Sequence, residues 1–278
     1  MKLRRNFLRA ATAALLAAVA LSGTAQAKTA NQEIAANSVI ETIKKRGVIK
    51  VGLSLFKPWS MRNKKGELIG FELDVGRKMA KDMGVDIEFI PTAWDGIIPA
   101  LVSGKFDVII SGMTVTPKRN LTVNFTQPYA YSGMTILANK QKTAGFKLED
   151  YNKPEVTFSA RRGATPAAVI KTMFPKATLL LFDDDGASGQ EVRNGNAHAT
   201  MSTEPEPSTE ARRYPDTLYV PFNRTFSATG EAIALRKGDP DALNWFNNWI
   251  GINTRTQWLQ ERNDYWFKTV KWSDQVSD

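Results

Sequence analysis

Short apolar runs alternate with amphipathic helical segments from about residue 45 to residue 130, and this alternation constrains the fold more than any other feature. VIKVGL, DIEFIPT and FDVIISG predict strands, and each is followed by a segment with helical spacing or a helix start. A second alternating block begins with EVTFSA and ATLLLF. Strands that alternate with helices favour an α/β class with mostly parallel sheets.

Two such blocks predict a cleft between them. In open parallel sheets, ligands bind beyond the carboxyl ends of the strands. We therefore expect the functional residues where the predicted strands end.

The first 27 residues predict a cleaved export signal. MKLRRNFLRA is basic, ATAALLAAVALSG is apolar, and Ala25-Gln26-Ala27 fits the small-x-small cleavage rule. The apolar run is shorter than the roughly 20 residues that a membrane span needs. We expect a periplasmic protein that begins near Lys28, with a retained N-terminal anchor as the alternative. RRNFLR resembles the twin-arginine motif, so both Sec and Tat export stay open.

Charge and composition exclude several function classes. Removal of the four basic residues of the signal leaves 33 basic against 28 acidic residues, a net charge of +5 instead of +9. No Lys/Arg block marks a nucleic-acid surface, so we expect no nucleic-acid partner. The chain has no cysteine, which excludes disulfides, thiolate metal sites and cysteine nucleophiles.

The single histidine, His198, gives no basis for a transition-metal site. The chain also lacks the Gly-x-Ser-x-Gly elbow of one class of serine hydrolase. We interpret His198 as a surface or structural residue, and we expect no metal and no cofactor.

Small polar residues and one arginine follow the strand FDVIISG. Ser111 and Thr114 offer hydroxyl and backbone N–H donors for an anion, and Gly112 permits close approach to the backbone. Thr116-Pro117 predicts a capped helix start, which places Arg119 in the first turn. The helix dipole favours anions at that end, and a guanidinium holds a carboxylate bidentately. Arg119 is therefore a candidate anion-binding residue, with an ordinary surface arginine as the alternative.

The second block offers a matching half-site. In SARRGATPAA, Gly163 to Thr165 lie between a strand and a helix, where exposed N–H groups form an anion site. Phe56 and Trp94 each follow a strand and are candidates to flank a side chain or cover a cation. Ordinary core packing is the alternative for both aromatic residues.

These motifs resemble the extracytoplasmic solute-binding proteins of ABC transporters, in the polar amino-acid family. GVIKVG, GELIGFELDVGRKMA and PTAWDGIIPALVSGKFDVIISGMTVTPKR match in order and spacing, and the resemblance covers about Gly47 to Phe267. It implies a two-lobed periplasmic binding protein fold (type II), with mostly parallel sheets and two hinge strands. Residues 28–132 plus 229–278 are expected to form lobe 1, and residues 133–228 lobe 2.

The resemblance also implies roles for individual residues. Arg119 would hold the ligand α-carboxylate, and Thr165 would donate to the same group from lobe 2. The turn after the strand would bind both the carboxylate and the ammonium, and two aromatic residues would flank the side chain. These further residues are Ser111, Gly112, Thr114, Phe56 and Trp94.

One position departs from the family pattern. The family usually has an aspartate that receives the ligand ammonium, and Thr203 stands there in HATMSTEPEP. Glu204 and Glu206 are candidates to replace the missing charge. A solvated helix start, where acidic residues are favoured, is the alternative for both.

A competing class is enzymatic, because cyclohexadienyl dehydratases resemble this chain in layout. Their catalytic glutamate aligns with Glu206 by its distance from Tyr214-Pro215, but their lysine on a later strand aligns with Glu231. The turn like GGTNE is also replaced by RRGATPA. We therefore predict a monomeric binding protein that carries out no chemistry and delivers an amino acid or related small carboxylate to an ABC permease.

Overall fold

Among the described residues, nine strands form one continuous sheet, and the helices alternate with them as the sequence predicts. The computed structural model describes residues 38–276, so the predicted signal peptide at residues 1–27 lies outside the described residues. The strand order is β4-β1-β5-β11-β6-β9-β7-β8, with β10 beside β6, and β2 pairs with β3 separately. The strands are β1 (Val48–Leu53), β2 (Met61–Arg62), β3 (Leu68–Ile69), β4 (Asp86–Pro91), β5 (Val108–Ile109), β6 (Asn124–Asn139), β7 (Thr157–Arg161), β8 (Thr178–Phe182), β9 (Ala199–Thr203), β10 (Leu218–Tyr219) and β11 (Ser227–Leu235).

The helices lie mainly between these strands. Within residues 38–276, none is long and apolar enough to cross a membrane. The α-helices are α1 (Val39–Arg46), α2 (Phe71–Met83), α3 (Ile97–Val102), α4 (Pro117–Asn120), α5 (Lys140–Thr143), α6 (Thr165–Met173), α7 (Asp185–Arg193), α8 (Glu206–Arg213), α9 (Pro240–Arg255) and α10 (Trp258–Asn263).

Two parallel groups of strands are joined by two long antiparallel strands. β1 pairs in parallel with β4 and β5, and β7 pairs in parallel with β8 and β9. β6 and β11 are antiparallel to each other, and their pairing runs from Ser227↔Met134 to Leu235↔Asn124. β11 also pairs antiparallel with β5 of the first group, and β6 pairs antiparallel with β9 of the second group. β6 and β11 are thus the two connections between the halves of the sheet.

Each half of the sheet has its own main hydrophobic core. The first core includes Val51 and Phe71, together with Phe246 from α9. The second includes Phe158 and Ile170. Because the two clusters share no residue, the molecule has two α/β lobes. The lobe boundaries at 132/133 and 228/229 stay a prediction, which the separate cores support.

The segment DGIIPALVSGK predicts a helix capped by Asp95. This prediction was wrong, because Asp95 does not cap α3. The chain first forms a 3₁₀ turn at Trp94–Gly96, and α3 starts at Ile97 without a side-chain cap.

The aromatic-rich segment DALNWFNNWIGINTRTQWLQERNDYWF predicts tryptophans used for packing. Trp249 and Trp266 are buried in the first core, and Trp245 and Trp258 pack against it partly buried, which confirms the prediction.

The structure also gives His198 a structural contact. Its Nδ1 accepts a hydrogen bond from the backbone N–H of Thr157 at 3.1 Å. Burial lowers the pKa of His198, as expected for a ring that accepts a backbone hydrogen bond in its neutral form.

Candidate functional site

A narrow cleft, with a cavity volume of about 30 Å³, lies where strands of both lobes end. Lobe 1 lines it with residues that follow β1, β4 and β5, and lobe 2 lines it with residues around the ends of β7 and β9. This position is the one that the strand-end rule predicts. The lining residues are Phe56, Trp94, Ser111, Gly112, Thr114, Arg161, Ala164, Thr165, Pro166, Asp185, Ser202 and Thr203.

The turn after β5 is held from behind by a buried carboxylate. Gly112 has a φ of 53°, a left-handed conformation that favours glycine. Its N–H donates to the carboxylate of Glu72, which also accepts a hydrogen bond from the Tyr129 hydroxyl at 2.5 Å. One N–H of the turn that is expected to bind the ligand is therefore already used inside the protein.

Ser111 also differs from the simple expectation. Its hydroxyl accepts a 2.7 Å hydrogen bond from the Ser54 N–H, which ties the end of β5 to the end of β1. Ser111 is buried, whereas Gly112 lies partly exposed on the cleft wall. The turn thus forms part of the cleft wall, and its hydrogen bonds to Ser54 and Glu72 hold its conformation.

Arg119 is positioned by the predicted helix start. The Thr116 hydroxyl accepts from the Arg119 N–H at 3.2 Å, and Pro117 is the first helical residue. The guanidinium donates to the Thr114 carbonyl at 2.9 Å and to the Gly163 carbonyl of lobe 2 at 3.4 Å. Burial lowers the pKa of Arg119 to about 10, so the side chain keeps its charge at neutral pH.

Lobe 2 presents a helix start to the same cleft. Gly163 has a φ of 71°, and α6 begins at Thr165, with Ala164 as its N-cap. Ala164 and Thr165 both line the cleft. The first N–H groups of a helix lack intrahelical acceptors, so this segment can receive a carboxylate.

Both predicted aromatic residues face the cleft. Phe56 stacks on the buried ring of Trp59, with a centroid separation of 6.4 Å. The ring of Trp94 has two guanidinium groups near it, with Arg119 at 5.3 Å and Arg161 at 5.0 Å from its centroid. Each guanidinium therefore makes a cation–π contact with the Trp94 ring.

The three residues near the missing aspartate separate in space. Thr203 lines the cleft at the end of β9. Glu204 turns away, because its carboxylate accepts from the Ser208 hydroxyl at 2.8 Å and caps the following chain. Glu206 lines a neighbouring cavity that shares Phe56 and Asp185 with the cleft.

Glu206 is a buried carboxyl group in acidic surroundings. Its Oε2 has no hydrogen-bond partner among the described residues. Burial raises the pKa of Glu206 well above its usual range, and the nearby charges of Glu210 and Asp185 raise it further. Burial and the neighbouring acidic residues therefore favour the protonated form of Glu206.

Sequence reasoning missed Arg161, Asp185 and Ser202, which also line the cleft. Arg161 is the last residue of β7, so the strand-end rule applied to EVTFSA would have found it. Asp185 follows β8 at the start of α7, within the run Asp183 to Asp185.

Comparison with known proteins places this architecture in a family. The chain is 28% identical over 237 residues to the L-cystine-binding protein of Escherichia coli (strain K12), covering 85% of this chain and 88% of the relative. It is 25% identical to the cyclohexadienyl dehydratase of Pseudomonas aeruginosa, covering 84% and 88%.

A solved structure agrees with these relatives. The putative ABC-transporter binding component of Wolinella succinogenes complexed with lysine has 38% identity and a TM-score of 0.78, covering 82% of this chain and 99% of that one. The two-lobed architecture is therefore the type II periplasmic binding protein fold. Because a profile of the bacterial extracellular solute-binding proteins, family 3, matches residues 49–269, the chain belongs to that family.

Proposed function

We propose that the protein binds a small amino acid or related carboxylate in the periplasm and delivers it to an ABC permease of the inner membrane. Arg119 is the residue that carries the proposal. Its guanidinium lies near the Trp94 ring and donates hydrogen bonds to the carbonyls of Thr114 in lobe 1 and Gly163 in lobe 2. Family membership supports it, as do relatives named for binding cystine and crystallised with lysine.

In the proposed complex, the ligand α-carboxylate binds to Arg119 and to the start of α6 at Thr165. A guanidinium and helix N–H groups together suit a carboxylate. The ammonium faces Thr203, which lines the cleft at the end of β9. Phe56 and Trp94 flank the rest of the ligand.

Capture is proposed to work by closure of the two lobes. Arg119 of lobe 1 already contacts the Gly163 carbonyl, and Arg161 of lobe 2 donates to the Ser54 hydroxyl of lobe 1. A ligand that contacts both lobes binds the closed form better and so increases its population. Lobe 1 (28–132 plus 229–278) and lobe 2 (133–228) would rotate about β6 and β11.

Export and assembly belong to the same proposal. Cleavage near Ala27 by the Sec or Tat route would release the mature chain into the periplasm, where it acts as a monomer. The basic and apolar segments of residues 1–27 support the signal.

The proposal is tested by Arg119→Met, assayed by calorimetry against the twenty amino acids. We expect at least a 100-fold weaker Kd, because a charge-assisted hydrogen bond contributes about 1.5–3 kcal/mol and its loss leaves a carboxylate unpaired. Lys118→Met is the matched control, since Lys118 is exposed on the same helix. Retained affinity in Arg119→Met would refute the carboxylate role.

A second candidate function is a dehydratase, and Glu206 is the observation that favours it. A buried carboxyl group that keeps its proton can act as a general acid toward a leaving hydroxyl. We propose that no such reaction occurs, since Glu206 lines the neighbouring cavity and Glu231 replaces the lysine of those enzymes. Formation of phenylpyruvate from prephenate by the wild type, and its loss in Glu206→Gln, would reverse this conclusion.

A further inference from the structure

Arg161 is a buried cation in the cleft that the proposed contacts leave without a role toward the ligand. It ends β7 and is only 5% exposed. It lines the cleft beside Asp185 and Thr203. Buried arginines are rare unless their charge and donors are satisfied, so each of its contacts is informative.

The guanidinium is held in place by groups from both lobes. One terminal nitrogen donates to the Asp185 carboxylate at 2.9 Å, and the other donates to the Ser54 hydroxyl. Its carbon lies 5.0 Å from the Trp94 ring centroid. The side chain is thus fixed in orientation before any ligand is present.

One donor of this fixed guanidinium remains unused. The Nε–H of Arg161 is buried and has no hydrogen-bond partner among residues 38–276. A buried donor without an acceptor is costly, and native proteins rarely leave one unless a ligand or water completes it. The unmet requirement is for an oxygen acceptor.

We propose that Arg161 binds an oxygen acceptor on the ligand side chain, which selects amino acids that end in a carboxylate or a carboxamide. The inference rests on the proposed function, in which Arg119 takes the α-carboxylate. Both guanidinium groups lie within 5.3 Å of the same ring centroid. Arg161 lines the cleft directly, and Arg119 lies beside the cleft against the same ring.

Charge also disfavours a cationic ligand end at this position. Asp185 forms an ion pair with Arg161, so the Asp185 carboxylate is not available to pair with a ligand ammonium or guanidinium. A cationic side chain next to Arg161 would lie close to another cation, and the nearby Asp185 carboxylate is already paired. A carboxamide oxygen suits the neutral pair, and a carboxylate oxygen suits the arginine.

The first test is the ligand preference of the wild-type protein after exhaustive dialysis. Calorimetry would compare L-glutamate, L-glutamine, L-norleucine and L-lysine, which share the α-amino-acid head and differ at the side-chain end. We expect glutamate or glutamine to bind at least about tenfold more tightly than norleucine and lysine. The ratio of glutamate to glutamine distinguishes the carboxylate from the carboxamide.

The second test removes the donor. Arg161→Met is expected to weaken glutamate or glutamine by about tenfold or more and to leave norleucine nearly unchanged. Arg162→Met is the matched control, because Arg162 is exposed and pairs with Asp183 outside the cleft. Arg161→Lys retains a positive charge without the planar fork, and it replaces the Met variant if that variant does not fold.

Several results would overturn the inference. Equal or tighter binding of lysine or norleucine by the wild type would do so. An equal loss for all ligands in Arg161→Met would mean that Arg161 closes the lobes or shares the α-carboxylate. If none of the four ligands binds, the inference fails. The proposed function fails as well only if none of the twenty amino acids binds.

Discussion

Glu72 shows how strongly the environment of one residue changes its chemistry. Its side chain is 1% exposed, and its carboxylate accepts hydrogen bonds from Tyr129 and from the Gly112 N–H behind the cleft. Burial, with a smaller contribution from the nearby charge of Glu231, raises the pKa of Glu72 from 4.5 to about 7. The group that holds the cleft turn therefore titrates near physiological pH.

The sign of the resulting pH dependence is fixed. Folded Glu72 keeps its proton to higher pH than unfolded Glu72, so the stabilisation is complete below pH 4.5 and is lost as pH rises toward 7. We expect wild type to lose up to about 3 kcal/mol of unfolding free energy relative to Glu72→Gln across that window. Urea denaturation of both proteins between pH 4 and pH 8 measures this difference.

Glu149→Gln provides the control for this experiment, because Glu149 is exposed. Its unfolding free energy should follow that of wild type at every pH. A constant difference between Glu72→Gln and wild type over the whole range would show that Glu72 has an ordinary pKa.

Sequence reasoning identified candidate site residues more reliably than it identified their contacts. Phe56, Trp94, Thr114, Thr165 and Thr203 all line the cleft, as strand-end positions should. Their binding roles stay predictions. The buried Glu72 beneath Gly112 was invisible, because nothing in FELDVGRKMA shows which helix residue will face a turn 40 residues later.

At the scale of elements, the four-residue helix α4 depends on its cap. So short a helix is not stable by itself, and the Thr116 hydroxyl supplies the acceptor for the Arg119 N–H. The sequence predicted this cap correctly, because the signal lies within four consecutive residues. The helix matters for function because it carries the proposed carboxylate arginine.

Thr116→Ala should therefore affect stability and binding together. We expect a loss of about 1 kcal/mol in unfolding free energy, typical of a removed N-cap, and weaker amino-acid binding as Arg119 loses its fixed position. Urea denaturation and calorimetry measure the two effects. Thr116→Ser retains the hydroxyl and should behave like wild type, whereas equal behaviour of the Ala and Ser variants would argue against the cap.

The full length of the longest strand, β6, could not be predicted from the sequence. The apolar run YSGMTILANK indicates a strand over the second half of β6 only, but the strand extends over sixteen residues from Asn124 to Asn139. Pro128 and Gly133 interrupt the pattern, and pairing with β11 keeps the chain extended through both. Local propensity is weak evidence where a partner strand supplies the hydrogen bonds.

At the scale of the whole molecule, the cleft belongs to neither lobe alone. Arg119 reaches Gly163 across it, and Arg161 reaches Ser54 from the other side. A ligand enclosed in this way stabilises the folded, closed protein by mass action. This stabilisation by ligand depends on contacts from both lobes.

We therefore expect a large thermal shift with the tightest-binding amino acid. At 100 times its Kd, the gain is about 2.7 kcal/mol, which raises Tm by roughly 5–10 °C at the 2–4 °C per kcal/mol typical of this size. Differential scanning calorimetry measures Tm, and small-angle scattering should show a smaller radius of gyration with ligand. An unchanged radius would contradict lobe closure, and Arg119→Met should lose the thermal shift.

The sequence by itself determined the α/β class, the strand ends that form the cleft and the capped arginine at 119, because these depend on residues close together in the chain. Tertiary structure decided which polar groups are used inside the protein and which line the cleft. It placed Glu72 beneath Gly112, turned Glu204 toward Ser208 and brought Arg161 and Asp185 into the cleft. The physical reason is that burial and hydrogen-bond pairing arise between segments distant in sequence, and no local pattern encodes the partner.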